Sequence, residues 1–262
     1  MSGVIEVELT GGFANRMSKY AFARAYAERH GSVLRTNAWK GQQVFEIDDP
    51  PIKGFYPLRD TFYLEQWDGE VNIALIGEAH HQKNLIYTRA DARRYFRFRP
   101  EILAVLSAVP AFEVAAHLRW GDFVNANGFV AITKESYLRA CDQYGIDRAK
   151  LHFISEEEPI VVIGVEPGFT WNRRLTDDLP GLGFLPDFYA LCKADILFRA
   201  ASSFSFWAGV IGRHSRIFSP DLRGLPWEGE GRGFQDVPFV EGNHMPITWW
   251  TPEHSELHVP EK

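Results

Sequence analysis

From Phe112 onward, short and almost continuous apolar runs alternate along the chain with segments of helical spacing. The apolar runs predict strands at 112–118, 151–154 and 195–199, with another strand at 160–165. The segments between and after them predict helices at 133–144, 187–192 and 205–211. The first of these strands is apolar at nearly every position, which is typical of a parallel strand covered on both faces. Strands that alternate with helices predict a parallel α/β sheet.

The first thirty residues predict a strand, a glycine turn and a helix. Ile5, Val7 and Leu9 alternate with two glutamates, so the strand is expected to have one apolar and one polar face. Helical spacing begins at Asn15, and Gly31 is a natural stop. Residues 32–75 give no firm assignment.

Residues 85–107 predict helix with one break at Pro100. Five arginines lie in this segment, at positions 89, 93, 94, 97 and 99. They suit either a solvated helix face or a surface for a charged acceptor, and we favour the solvated face. The character of the sequence changes after Pro110. We therefore expect two α/β lobes with a cleft between them, 1–109 and 110–262, a division that suits a chain of 262 residues.

The net charge of −6 argues against a protein that coats nucleic acid or anionic membrane. Cys141 and Cys192 are the only cysteines, so there is no disulfide framework, and two buried thiols in a reducing compartment are expected. The amino terminus carries glutamates where a signal peptide needs an apolar run. The apolar stretch 194–212 is interrupted by Asp195 and Arg199, which excludes a membrane span there. The expectation is a soluble, cytoplasmic protein.

The glycine turn Gly11-Gly12 leads directly into the first helix. Such a turn leaves backbone N–H groups pointing at whatever precedes the helix, where the helix dipole favours an anion. Glycines after a first strand equally serve tight packing, and the pattern alone does not separate the two readings.

A second segment, AHLRWGDFV, follows the strand that ends near Leu118. Open α/β sheets bind ligands at this end of their strands. His117 and Arg119 are two residues apart, so they share one face of the strand. Arginine matches the geometry of phosphate and stays charged at any working pH. An Arg119–Asp122 ion pair that closes the loop is the structural alternative.

The third segment contains Asp187 in PDFYALCK and then Ser202, Ser203 and Ser205 in ASSFSFW. Small hydroxyl residues between a strand and a helix present amides and hydroxyls to an anion. A serine-rich helix cap is the alternative. Spacing alone does not choose between them.

Together these segments resemble the α-1,2-fucosyltransferases of glycosyltransferase family 11. GGFANRMSKYAFARAYAERHG is similar to their Gly-Gly-x-Gly-Asn-Gln-Met segment and the helix after it. AHLRWGDFV is similar to the His-x-Arg-Arg-x-Asp strand end that they share with α-1,6- and protein O-fucosyltransferases, and HFISEEEP resembles their Phe-Ser-Asp-Asp strand. PDFYALCKADILFRAASSFSFWAGVIG resembles their Asp-aromatic-Cys-Lys block with its Ser-Phe-Ser-Trp-Trp ending. The four blocks keep their order from residue 4 to about 212.

The resemblance implies a two-lobed GT-B fold with a Rossmann-like parallel sheet in each lobe. Residues 1–109 would form the acceptor-side lobe, and 110–262 the nucleotide-sugar lobe with a tail that can cross back. The donor would be GDP-fucose. Arg119 would grip its diphosphate, His117 would lie near the nucleotide, and Asp187 would accept hydrogen bonds from guanine. The resemblance also implies that the donor is bound by Gly12, Glu156, Ser203, Phe204 and Ser205.

The resemblance implies that Arg119, Asp122 and Asn15 take part in catalysis. Asp122 is the nearest candidate for the general base, although it can instead orient Arg119. Asn15 would contact donor or acceptor. Three positions depart from the family pattern: Ala14 replaces a glycine, Arg16 a glutamine, and Trp120 the second arginine of the tandem.

No Asp-x-Asp pair occurs in the sequence, and the paired histidines His80–His81 and His254/His258 lack further ligands. We therefore expect no required metal and no cofactor besides the nucleotide sugar.

The leading hypothesis is an inverting, metal-independent transfer of fucose from GDP-fucose to a hydroxyl of a glycan. A transferase that uses another nucleotide sugar is a second hypothesis, prompted by Trp120. A non-catalytic glycan- or nucleotide-binding relative is a third, prompted by Ala14 and Arg16. The expected partners are a GDP-sugar and a glycan, not nucleic acid, and a lipid-linked acceptor would bring the protein to a membrane surface.

Overall fold

The computed structural model describes residues 2–79, 82–120, 130–155, 169–170, 179–222, 233–247 and 255–257. The chain divides into two compact units, Met1–Leu103 with Leu257–Lys262, and Ala104–Glu256. Each unit contains a sheet of mainly parallel strands accompanied by helices. The predicted α/β class is therefore confirmed.

The first unit contains four strands, β1 (Val4–Val7), β2 (Val33–Thr36), β3 (Leu58–Asp60) and β4 (Ile73–Ile76). They form a parallel sheet in the order β2-β1-β4-β3. Its helices are α1 (Phe13–Arg29), α2 (Gly41–Val44), α3 (Leu64–Trp67) and α4 (Arg89–Tyr95). A fifth helix, α5 (Pro100–Leu106), contains the boundary between the two units. The unassigned segment 32–75 thus holds three strands and two short helices.

Helix α1 begins and ends at glycines, as the sequence predicted. Gly11 has φ +88°, a conformation that side chains disfavour, and Gly12 is the extended residue before the helix. His30 caps the other end, and Gly31 follows in the left-handed region at φ +59°. The buried positions of α1 include Met17, with no exposed surface.

The prediction of a polar face on β1 is wrong at Glu6. This side chain is buried, and its two carboxylate oxygens accept hydrogen bonds from the backbone N–H groups of Lys53 (2.7 Å) and Gly54 (3.0 Å). On the neighbouring strand β2, Nη1 of Arg35 lies 3.7 Å from Oε1 of Glu6. A buried carboxylate is tolerated here because these donors replace its hydration. Glu6 therefore anchors a loop far along the chain.

The predicted helical segment 85–107 with one break at Pro100 is confirmed, although its helices are shorter than predicted. Two seven-residue helices occur, and Pro100 is the first residue of α5, since the first turn of a helix needs no proline N–H. Thr88 and Asp91 form a reciprocal cap at the start of α4. Arg94 is half exposed and pairs with Glu28 at 2.7 Å, in keeping with a solvated face.

The second unit contains the strands β5 (Val114–Leu118), β6 (Ala131–Ile132), β7 (Leu151–Ser155), β8 (Phe169–Thr170), β9 (Ile196–Phe198), β10 (Arg216–Pro220), β11 (Phe234–Gln235) and β12 (Phe239–Glu241). Six of them form a sheet in the order β12-β10-β9-β5-β7-β8, parallel except for β12. Strands β6 and β11 pair separately, as do β13 (Met245–Ile247) and β14 (Ser255–Leu257).

Three helices are described in this unit: α6 (Lys134–Tyr144), α7 (Leu185–Lys193) and α8 (Ser203–Ile211). Helix α6 has the predicted boundaries, with Thr133 as its N-cap and Gly145 in the left-handed conformation at its end. One hydrophobic core packs α6 against the sheet and includes Leu118, Tyr137 and Phe198.

None of the helices in the described part of the chain is long and apolar enough to cross a membrane. Both cysteines are free; Cys141 is buried in the core of the second unit, whereas Cys192 is half-buried. Burial raises the pKa of the Cys141 thiol to about 11. Cys141 is therefore a packed, protonated thiol.

Candidate functional site

The strand order of the second unit has one topological switch point. From the central strand β5 the chain moves to β7 on one side, whereas β9 lies on the other side and leads to β10. Open α/β sheets bind ligands beside the carboxyl ends of the strands that flank such a point. The candidate site therefore lies where β5 and β9 end.

Residues at the end of β5 alternate between two faces of the sheet. Leu118 and Trp120 belong to the hydrophobic core, and the Trp120 indole donates a 2.8 Å hydrogen bond to the carbonyl of Ile132. Its ring meets Phe234 edge-on at 4.9 Å. Trp120, which departs from the motif of the family that the sequence resembles, is thus a core residue, on the face opposite His117 and Arg119.

His117 is buried at the end of β5. Its imidazole lies 5.4 Å from the ring of Phe204, and its backbone carbonyl accepts a 2.8 Å hydrogen bond from the Tyr137 hydroxyl. Burial, and secondarily the charges of Arg119 and Arg199, lower the pKa of His117 to about 3. The imidazole is therefore neutral at physiological pH. Its buried Nδ1 has no hydrogen-bond partner among the residues that the structure describes.

Arg119 follows β5 directly and is half-buried. It lies two residues after His117 in the chain, and its charge contributes to the lowered pKa of that imidazole. This is the arrangement expected of a strand-end arginine two residues after a histidine. The site thus carries one positive charge from β5.

Arg199, one residue beyond β9, supplies a second guanidinium that we did not predict as a site residue. The side chain is fully buried. Its Nη1 donates one hydrogen bond to the Ser219 hydroxyl at 2.9 Å and another to the carbonyl of His244. Within the described ranges, its Nε and Nη2 have no hydrogen-bond partners. Burial lowers the pKa of Arg199 to about 9, so it remains charged at neutral pH. The available sequence signal was an arginine inside the apolar run ILFRAA.

The serine turn after β9 starts helix α8. Ser202 caps the helix, since its hydroxyl accepts a hydrogen bond from the backbone N–H of Phe204 at 3.2 Å. Ser203 is half-buried, whereas Ser205 is buried, and its hydroxyl bonds to the carbonyls of Ala200 (3.3 Å) and Ser202 (3.4 Å). Ser205 therefore holds the turn together, and the first turn of α8 presents backbone N–H groups beside the strand ends.

Asp187 lies in the first turn of α7 and is half-buried. The next residue, Phe188, contacts the ring of Phe204 edge-on at 5.1 Å. Since Phe204 also contacts His117, aromatic contacts connect the start of α7, the start of α8 and the end of β5. The structure thus brings the segments of His117, Asp187 and Ser203–Ser205 together in one unit.

Gly12 and Asn15 lie at the start of α1 in the first unit. A Cβ placed on Gly12 would meet no atom within 4 Å, so space does not demand glycine there. Arg16 donates from Nε to the carbonyl of Gly11 at 2.8 Å and so ties down the turn. Asn15 is half-buried in the first turn.

Two candidate residues, Asp122 and Glu156, lie outside the described residues, as do His80, His81, His254 and His258. Within the described ranges no group of three or more His, Cys, Asp or Glu side chains is placed to hold a metal ion.

No protein-family model matches the chain, and no curated protein sequence matches it. Several solved structures have the same fold. The NodZ α-1,6-fucosyltransferase co-crystallised with GDP has a TM-score of 0.58 and 15% identity, over 92% of this chain and 99% of that one; NodZ is from Bradyrhizobium. POFUT1 with GDP has a TM-score of 0.52 and 13% identity, over 83% of this chain and 97% of that one.

A mutant of Arabidopsis thaliana FUT1 in complex with GDP is a third similar structure. Its TM-score is 0.53 at 12% identity, and the alignment covers 86% of this chain and 73% of that chain. TM-scores above 0.5 at such low identity show a shared fold and nothing further. The chain has the same mixed α/β fold as these three structures.

Proposed function

We propose that the protein transfers fucose from GDP-fucose to a hydroxyl group of a glycan acceptor. The observation that carries the proposal is the convergence of positive charge at the switch point: Arg119 and Arg199 act on one neutral, buried imidazole beside the start of α8. A diphosphate suits such a place, since guanidinium groups and helix N-termini both favour phosphate. The fold shared with three GDP-bound fucosyltransferases supports the choice of donor.

Each site residue has a distinct proposed role. Arg119 binds the diphosphate and stabilises the charge that develops as GDP departs. His117, being neutral, offers one hydrogen bond through its open Nδ1 and adds no charge. The Asp187 carboxylate accepts hydrogen bonds from the two N–H donors on one edge of guanine.

The remaining roles complete the donor site. The start of α8, Ser203–Ser205, holds the phosphate, and Phe204 packs between nucleotide and His117. Gly12 and Glu156 are further donor contacts, and Asn15 contacts donor or acceptor. These residues would lie on two lobes of a GT-B fold, 1–109 and 110–262.

The proposed reaction is a single displacement with inversion at the sugar. The acceptor oxygen forms a bond to C1 of fucose, the bond from C1 to the phosphate oxygen breaks, and GDP leaves. The acceptor hydroxyl loses its proton to a general base, for which Asp122 is the candidate. Arg119 acts on the leaving group, so a metal ion is not required in this scheme.

The α-1,2 linkage and membership of glycosyltransferase family 11 belong to the proposal as well. Their support is the order of the four sequence blocks from residue 4 to about 212. Trp120 does not argue for a different donor, because its indole is engaged in the core of the second unit.

Nucleotide specificity in thermal unfolding tests the proposal. GDP should raise the Tm more than UDP or CMP at equal concentration, since bound ligand stabilises by about 3 kcal/mol at a hundredfold excess over its Kd. Asp187→Asn should reduce the preference for GDP. A larger shift with UDP would move the assignment to another nucleotide sugar.

Donor hydrolysis in excess chelator tests the metal-independent scheme. Activity should persist in EDTA, because the positive charge on the diphosphate comes from Arg119. Loss of hydrolysis in EDTA and its return with Mn²⁺ would show that the enzyme needs a divalent ion.

A further inference from the structure

Arg199 is a buried cation without a counter-ion in the described part of the chain. Its guanidinium has no exposed surface, its hydrogen bonds go to a hydroxyl and a carbonyl, and it forms no ion pair with a described carboxylate. The ring of Phe206 lies beneath it, 5.1 Å from Cζ. A buried charge without a partner is costly in free energy. Such a residue therefore calls for an anion that the described part of the chain does not supply.

The register of the sheet places Arg199 beside His117. Phe198 pairs with Ala116 on β5 and with Phe218 on β10. One residue further along, Arg199 lies between His117 and Ser219, on the face opposite the core residues Phe198 and Phe218. The direct hydrogen bond from Arg199 to Ser219 agrees with this register. Arg199 thus lies at the switch point itself.

We propose that Arg199 supplies the second positive charge for the donor diphosphate, acting through its field from behind His117. It is a positioning residue, since a fully buried guanidinium does not touch the ligand. The inference rests on the proposed function, because it takes a nucleoside diphosphate as the ligand. Position 120, which holds a second arginine in the family that the sequence resembles, supplies no charge here, and Arg199 provides one from the neighbouring strand.

The physical argument concerns screening. A charge inside the protein is screened far less than one at the surface, so its attraction for a nearby anion is stronger. The neutral imidazole of His117 does not offset that attraction. Removing the charge should therefore weaken diphosphate binding while relieving the free protein of an unpaired cation.

A purely structural role is the competing explanation. Arg199 joins Ser219 to the carbonyl of His244, and Ser219 in turn donates to the carbonyl of Gly242 at 2.7 Å. If these hydrogen bonds were its only purpose, Arg199 would matter for stability and not for ligand charge. The two explanations therefore predict different GDP affinities for variants in which Arg199 is replaced by a neutral or by a charged side chain.

The first experiment measures the Kd of GDP by calorimetry, and denaturant unfolding of the free protein, for wild type and Arg199→Met. Methionine keeps much of the volume without the charge. We expect GDP affinity to fall about 10- to 100-fold, in line with one weakly screened charge. Unchanged GDP affinity overturns the proposal. Arg216→Met is the control: Arg216 lies on β10 and pairs with Glu241 at 2.8 Å, so its removal should leave GDP affinity unchanged.

Arg199→Lys and Arg199→Gln separate charge from hydrogen bonding. Both side chains can donate to Ser219 and His244, but lysine alone is charged. We expect the Kd of GDP for Arg199→Lys to lie within about threefold of the wild-type value, because the lysine charge acts over nearly the same distance. We expect Arg199→Gln to lose as much GDP affinity as Arg199→Met. Equal loss in the lysine and glutamine variants overturns it. This pair remains informative if the methionine variant does not fold.

The wild-type protein separates failure of this inference from failure of the proposed function. If it binds UDP better than GDP, GDP-fucose is the wrong donor, and the same variants are then compared with UDP. Inorganic pyrophosphate provides a probe without any base, and Arg199→Met should weaken its binding by a similar factor. If the wild type binds no nucleoside diphosphate and no pyrophosphate, both proposals fail.

Discussion

The ring of Phe204 lies 5.4 Å from the imidazole of His117 and so joins the first turn of α8 to the end of β5. The same ring contacts Phe188 on α7 at 5.1 Å. Three segments that are far apart in the sequence therefore meet at one aromatic side chain. Phe204 is half-buried, which leaves part of it to contact a ligand.

Phe204→Ala should lower the free energy of unfolding by about 2 kcal/mol, less than for a fully buried phenylalanine. Loss of the ring also admits water to His117, so the pKa of His117 should rise towards its ordinary value. Urea unfolding and NMR titration of the histidines measure the two effects. Phe55→Ala is the control, because Phe55 is 89% exposed and its removal should change stability by less than about 0.5 kcal/mol.

The low pKa of His117, about 3, makes stability depend on pH. Below pH 6.5 the unfolded chain takes up a proton at His117 and the folded protein does not, so stability should fall as pH falls from 6.5 towards 3. Between pH 7 and pH 5 the wild type should lose about 2 kcal/mol more than His117→Gln. Unfolding titrations of both proteins measure the difference.

The comparison between two proteins matters because other groups titrate in the same range. Burial also lowers the pKa of His152, to about 4, and Arg94 lowers that of Glu28. Both groups are present in wild type and variant, so their contributions cancel. Identical pH profiles would mean that the pKa of His117 is the same in the folded and unfolded states, which would contradict the lowered pKa.

Ser205 and Ser203 should respond differently to the loss of a hydroxyl. Ser205→Ala removes the hydrogen bonds that close the turn at Ala200 and Ser202, and should lower the free energy of unfolding by about 1–3 kcal/mol. Ser203→Ala should mainly weaken GDP binding. Unfolding and GDP titration of both variants provide the test, and a purely stability-related effect at Ser203 would remove it from the proposed phosphate site.

Local patterns predicted the framework of the second unit well. The caps of α6, Thr133 and Gly145, lie where the sequence placed them, and the strand that ends at Leu118 is buried throughout. These features depend on neighbours along the chain or on burial of a whole strand, and both are visible in residue order.

Features that depend on distant partners were not predictable in this way. Alternation assigned Glu6 to a polar face, but the donors that allow its burial come from a loop at Lys53 and Gly54. In the sequence, the charge of Arg199 argues only against a membrane span at 194–212. Its importance depends on the pairing of β9 with β5, which no local pattern reveals.

Trp120 shows the same limit at the candidate site. Its place in a tandem motif suggests an altered donor site. Because side chains alternate between the two faces of a strand, Trp120 instead lies in the core, where its indole bonds to Ile132. Whether a substitution in a motif changes a site depends on the face that the residue occupies. The number of charges in the site therefore depends on which side chains the fold brings together, and the order of residues alone does not show it.

The most direct test of the account is the rate of donor hydrolysis per folded molecule, measured with GDP affinity, for Arg119→Ala. We expect a fall in rate of about 10²–10³-fold, as for removal of one oxyanion donor, with weaker GDP binding and little change in unfolding. Arg119→Lys should restore part of the rate, because it keeps the charge without the planar fork. Asp122→Asn should lower the rate alone if Asp122 is the base, and GDP affinity as well if it orients Arg119. An Arg119→Ala protein that folds, binds GDP and turns over at the wild-type rate would contradict the central claim.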